Sequence, residues 1–108
     1  MGDDNSAAIA RLNDAARTTL SDCRVVMTQG VADLGNVGEV FEKVCSYTDF
    51  NERNDPYGEH DFGSFEFAGQ LVFWKFDYFD VDLLMHSPDA SDPAVTCRVL
   101  TVMLAEEY

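Results

Sequence analysis

The sequence predicts an α+β domain in the order α-β-α-β-β-α: a small, mainly antiparallel sheet with helices packed on its aromatic face. Three observations carry this prediction. Residues 63–80 alternate aromatic and polar side chains about a glycine turn, the period of a β-hairpin. Residues 5–19 and 36–47 place apolar side chains at helical spacing. The chain has 108 residues and shows neither a linker nor a repeat, so residues 1–108 read as one domain.

The first helix is expected over Asn5–Thr19, capped by Asn5 or Ser6, whose side-chain oxygens accept from free N–H groups of the first turn. Ile9, Leu12, Ala16 and Leu20 form its core-facing stripe. Arg24–Thr28 is short and rich in β-branched residues, hence a strand, and Gln29-Gly30 turns the chain. A second helix is expected over about Asn36–Tyr47, with Val37, Val40, Phe41, Val44 and Cys45 inward. Asp49–Gly63 is a polar, turn-rich loop of about 15 residues, a length that is often functional.

A two-residue turn at Gly69-Gln70 would pair Phe67 with Val72 and Phe65 with Trp74. Those four, with Phe76 and Tyr78, then share one face, and Glu66, Phe73, Lys75 and Asp77 share the other. An odd-length loop would split the aromatic cluster, so the hydrophobic pattern selects the even register. Glu66 and Lys75 are expected to pair diagonally. After a second acidic loop, Asp92 and Pro93 form a cap and first residue for a last helix, with Val95, Val99, Val102 and Met103 on one face. Its end, Glu106-Glu107-Tyr108, places acids at the negative end of the helix dipole.

Composition excludes several classes. Hydrophobic residues make up 46%, too many for a disordered chain, and no apolar run approaches the ~20 residues of a membrane span. Twenty acids against seven bases leave a net charge of −13, which argues against direct binding to nucleic acid or to an anionic membrane. The acidic N-terminus lacks a secretory pattern, and Cys23, Cys45 and Cys97 are odd in number without a CxxC pair. A cytoplasmic protein with free thiols is expected. Gly2 and Ser6 match a myristoylation pattern that nothing else in the chain supports.

The charge is concentrated. Between Asp49 and Asp92 there are eleven acids and two bases. The hairpin is expected to bring its flanking loops into one negative rim, chiefly Asp55, Glu59, Asp61, Asp80, Asp82 and Asp89. The resulting self-repulsion costs stability, and a basic partner would relieve it. Solvated acidic surface is the ordinary alternative.

Asn54–Gly63 is also the densest cluster of reactive side chains. Asp55, Glu59, His60 and Asp61 are oxygen and imidazole donors suited to a divalent cation, and His60 beside Asp61 suits a general base with its orienting acid. Adjacent residues diverge in extended backbone, so a turn is needed for them to cooperate. An Asx-turn loop with a structural histidine is the competing reading. Asp61-Phe62-Gly63 copies a kinase tripeptide, but the chain has no other part of that machinery. No nucleophile elbow or phosphate-binding loop is present. Trp74 is expected in the core, whereas Phe73 falls among charged residues and is a candidate contact for a partner or for a second copy in a homodimer.

Asn54–Phe67 (NDPYGEHDFGSFEF), Val72–Asp80, Ser87–Thr96 and Arg98–Tyr108, with Leu12-Asn13-Asp14, Arg17 and Thr28–Val31 upstream, closely resemble an uncharacterised bacterial family, domain of unknown function 3768. The chain departs from that pattern at Ala90 and Cys97, where proline and arginine are expected, and at Phe79, where tyrosine is usual. No catalytic residue or cofactor is carried over from the family. Members of that family look like small proteins of plasmids and prophages, which implies a protein that blocks host defence, of the anti-CRISPR or anti-restriction type. Together with the acidic rim, the expectation is a non-enzymatic inhibitor that uses those carboxylates to occupy a basic nucleic-acid-binding surface. The alternative is a small metal-dependent enzyme or metal-binding protein centred on Glu59-His60-Asp61.

Overall fold

The alternation of the aromatic run dictates the centre of the molecule. A computed structural model describes residues 5–108. Its elements are α1 (Ser6–Thr19), β1 (Arg24–Met27), α2 (Gln29–Ala32, a single turn), α3 (Val37–Cys45), β2 (Phe62–Phe67), β3 (Gln70–Phe79) and β4 (Cys97–Leu104), with 3-10 turns at Pro93–Val95 and Ala105–Glu107. The sheet order is β1-β4-β3-β2. β2 and β4 run antiparallel to β3, and β1 runs parallel to β4. The class is α+β, and the sheet is mixed.

The helices cover one face. Val72, Trp74 and Phe76 of β3 and Leu100, Val102 and Leu104 of β4 are buried there with Ala16, Val31, Val40, Val44 and Tyr47. Phe65, Phe67 and Tyr78 pack against this core, so the six residues expected on one face do share it. On α1 the buried stripe is Ile9, Ala10, Asn13, Ala16 and Arg17. Leu20 lies outside the helix and exposed, and polar Asn13 and Arg17 take the inward positions instead. Asn5 is the N-cap, but its side chain makes no capping bond. Gly2 lies outside the described residues.

The hairpin turn is Ala68-Gly69, not Gly69-Gln70. Phe67 pairs with Gln70 and Phe65 with Val72, a register shifted by two residues from the expected one. Both turn residues have positive φ, 52° at Ala68 and 80° at Gly69, as a type I′ turn requires. A shift of two preserves which face each side chain occupies, so the aromatic grouping survives it. The expected Glu66–Lys75 pair does not form: Glu66 faces Leu71, and Lys75 binds Asp77 at 2.8 Å. Gln29-Gly30 opens helix α2 instead of making a simple turn.

The last helix is a correction of larger consequence. Asp92 does cap the turn, its carboxylate accepting from the Ala94 N–H at 2.9 Å, but the helix stops after Val95. Residues 97–104 form β4, an interior strand between β1 and β3. Arg98, Leu100, Val102 and Leu104 alternate into the core, a period of two. Flanked by paired strands, β4 satisfies its backbone on both edges, and its β-branched residues suit that state. The acids at the C-terminus consequently sit at no helix dipole. Glu107 accepts from the Thr28 hydroxyl at 2.6 Å, the Leu104 N–H at 2.8 Å and the Gly30 N–H at 3.1 Å, pinning the C-terminus to α2.

Candidate functional site

α1 carries polar side chains into the protein. Asn13 and Arg17 lie one helical turn apart, at 0% and 2% exposure. Asn13 Nδ2 donates to the Glu59 carbonyl at 3.0 Å and to the Tyr78 hydroxyl at 2.8 Å, and its Oδ1 accepts from Arg98 Nε at 2.7 Å. One amide thus joins α1, the acidic loop, β3 and β4. Arg17 Nη1 donates to the Val44 carbonyl at 2.7 Å, satisfying the end of α3. Its guanidinium lies over the rings of Phe50 and Trp74.

Asp14 continues this cluster. Its carboxylate accepts from Arg17 Nη2 at 3.1 Å and faces His60 Nδ1 at 2.9 Å. The imidazole stacks flat on Phe50, with ring centroids 3.9 Å apart, and its Nε2 lies 3.6 Å from Asp55 Oδ2. His60 has φ 55°, a left-handed turn in which Asp55 Oδ1 accepts its backbone N–H at 3.1 Å. A cleft of about 390 Å³ opens beside these groups, lined by Asp14, Arg17, Cys45, Tyr47, Phe50 and His60 among others. Burial pushes the Cys45 thiol up, against the opposing effect of Arg17, which disfavours the nucleophilic thiolate.

The rim residues are placed in different ways. Asp55 is turned inward, its side chain only 6% exposed. Glu59 is half-buried and accepts from the Tyr78 hydroxyl at 3.2 Å. Burial raises its pKa, the Tyr78 hydrogen bond partly opposes this, and Asp61 and Asp55 add to the rise. Asp61 is likewise raised, chiefly by burial. Tyr78 is held far above its ordinary value, again by burial first. Asp80 Oδ1 accepts the Leu84 N–H at 3.0 Å. Asp82 is exposed. Asp89 is exposed and held low by the hydroxyl and amide of Ser91. The ladder separates the two loops: the Asp61 backbone carbonyl accepts from the Phe76 N–H, and Asp80 lies four residues farther along, roughly 13 Å at strand rise. Phe73 is half-buried between Phe62 and Tyr108, at centroid distances of 5.0 and 5.7 Å.

Glu59 turns to Tyr78, and His60 turns to Asp14 and Asp55. Among the described residues no three His, Cys, Asp or Glu side chains form a set able to hold a metal ion. Cys23, Cys45 and Cys97 are free thiols. Among the described residues no helix is long and apolar enough to cross a membrane. The network through Asn13, Asp14, Arg17 and Arg98 escapes reading by hydropathy, because its members occupy core positions of elements defined by their apolar neighbours. Its one signal is the pair of polar residues, Asn13 and Arg17, spaced along the apolar face of α1.

The fold is therefore a two-layer α+β domain in which an acidic loop is clamped to a helix by buried polar groups. The family model described as "Protein of unknown function (DUF3768)" matches residues 27–107, and the chain belongs to that family. α1, which supplies Asn13, Asp14 and Arg17, precedes the matched span. No curated protein and no solved structure matches the chain.

Proposed function

We propose that this protein is a non-enzymatic, cytoplasmic binding protein that presents exposed carboxylates to a basic surface of a partner, in its most specific form as an inhibitor that occupies the nucleic-acid-binding surface of a host defence complex. The observation that carries this reading is the unpaired charge. The chain is −13, yet among the described residues only Arg17–Asp14 and Lys75–Asp77 pair a lysine or arginine with a carboxylate. Asp49, Glu52, Glu66, Asp82 and Asp89 are exposed within the acidic half of the chain. The groups best suited to catalysis are occupied internally: His60 by Asp14 and Asp55, Glu59 by Tyr78, and Asn13 by three partners. Free thiols agree with a reducing compartment.

The test is capture from nuclease-treated host lysate on the immobilised protein, followed by a salt gradient. A contact made by several carboxylates weakens steeply as salt rises. The expected result is a nucleic-acid-binding complex that elutes with salt and is lost when Asp49, Glu52, Asp82 and Asp89 are together reversed to lysine. A complex that resists high salt, or that binds the reversed protein equally well, overturns the proposal.

A further inference from the structure

A second cleft, of about 380 Å³, lies on the other side of α1 and is lined by Leu12, Ala15, Ala16, Asp22, Pro93, Thr96 and Arg98. Its volume is at the small end of the range for ligand pockets. Arg98 sets its character. The residue is 4% exposed, and among the described residues no carboxylate forms an ion pair with it. Nε donates to Asn13, and Nη2 donates to the Ala90 carbonyl. Nη1 makes no hydrogen bond among the described residues. It is also absent from the sealed nitrogens that lack a partner, which are Arg17 Nε and Trp74 Nε1. Arg98 lines the cleft, and Nη1 is the guanidinium nitrogen left without a protein acceptor among the described residues.

The Glu59 carboxylate acts on this guanidinium from beyond ion-pair distance, so its burial is only partly compensated and an entering anion lowers the remaining cost. The Tyr78 ring, 5.3 Å from the guanidinium carbon, supplies partial compensation but no negative charge. Thr96 does not compete for an anion, since its hydroxyl donates to the Asp89 carbonyl at 2.8 Å and shares a bond with Ser87 Oγ at 2.7 Å. The remaining walls are mostly apolar. We propose that this cleft binds a small aliphatic carboxylate, with the carboxylate on Arg98 Nη1 and the apolar body against Leu12, Ala15, Ala16 and Pro93. Asp22 refines the class. It lines the same cleft without pairing with Arg98, so it repels a bare anion and favours a molecule that also carries an ammonium. An α-amino acid with an aliphatic side chain satisfies both charges. This site is independent of the acidic surface proposed above.

The test is titration of the ¹⁵N-labelled full chain with leucine, 4-methylpentanoate and isoamylamine, followed by amide chemical shifts. Leucine is expected to shift the amides of Ala15, Ala16 and Arg98 saturably, 4-methylpentanoate to do so about tenfold more weakly, and isoamylamine to do nothing at those amides. Ala15 is exposed on α1, so Ala15→Phe fills the cleft from outside the core and is expected to abolish binding. Asp22→Asn is expected to remove the preference for leucine over 4-methylpentanoate. Arg98→Gln also releases Asn13, so it is read only beside these two variants. Absence of saturable shifts with either carboxylate at millimolar concentration, or unchanged binding by a folded Ala15→Phe protein, overturns the proposal. Equal binding of the two carboxylates by the parent chain overturns the role of Asp22.

Discussion

Glu59 and Glu107 have opposite pH signatures. Burial raises the Glu59 pKa, so its contribution to stability is fully present below the unfolded value, about 4.3, and is lost as pH rises through the higher folded value. Glu107 is held low, first by the Thr28 hydroxyl and then by the Leu104 amide. Its contribution is present above the unfolded value and is lost as pH falls through the folded one. Thermal denaturation across the acid range separates them. Glu59→Gln, which still accepts from Tyr78, is expected to lessen the fall in Tm between pH 4.5 and neutrality relative to the parent. Glu107→Gln is expected to lower Tm at neutral pH, with the deficit shrinking in acid. Gly63 is limited by space: a Cβ there would stand 2.5 Å from Trp74 Nε1 and 2.7 Å from Tyr47 Cε1. Gly63→Ala is expected to cost ~1–3 kcal/mol in urea denaturation, the usual range for overpacking.

At the scale of elements, the hairpin was legible in its parity and illegible in its register. Alternation from Phe65 to Tyr78 assigns each side chain to a face, and any even shift satisfies it equally. The turn decides between the shifts, and type I′ geometry seats its two positive-φ residues at Ala68 and Gly69. Alanine is strained in that conformation, by roughly 1 kcal/mol. Ala68→Asn, which makes an Asn-Gly turn, is therefore expected to raise stability by ~0.5–1 kcal/mol in the same denaturation assay. β4 departs from its local pattern for a different reason. Asp92 and Pro93 are a genuine helix start locally, and Val95, Val99 and Val102 extend it in pattern, whereas Leu100, Val102 and Leu104 extend a strand equally well. Pairing on both edges settles the matter, and pairing is non-local.

For the whole molecule, the dominant fact is charge. Repulsion among surface carboxylates is screened over a Debye length of about 8 Å at physiological salt. Raising sodium chloride from about 20 mM to about 300 mM is expected to raise the Tm of the free protein, because screening relieves self-repulsion in the compact state. The same salt is expected to weaken its complex with a basic partner. A free protein whose Tm falls with salt would show that local pairs, such as Lys75–Asp77, outweigh the net repulsion.

Several properties are local and were settled by the sequence: the α+β class, the aromatic face of the hairpin, the excess of carboxylates in residues 49–92 and membership of the family. The first three follow from residue type and spacing alone, and membership of the family follows from the match over residues 27–107. The polar clamp was not legible. Asn13 is a polar residue on the apolar face of α1 with no partner in view until β3, β4 and the acidic loop close around it and bring Tyr78, Arg98 and Glu59 to its amide. The rim was legible as charge but not as a surface, since Asp55, Glu59 and Asp80 spend their oxygens on nearby protein groups. Tertiary structure decided these points because a buried polar atom requires partners, and those partners lie tens of residues away along the chain.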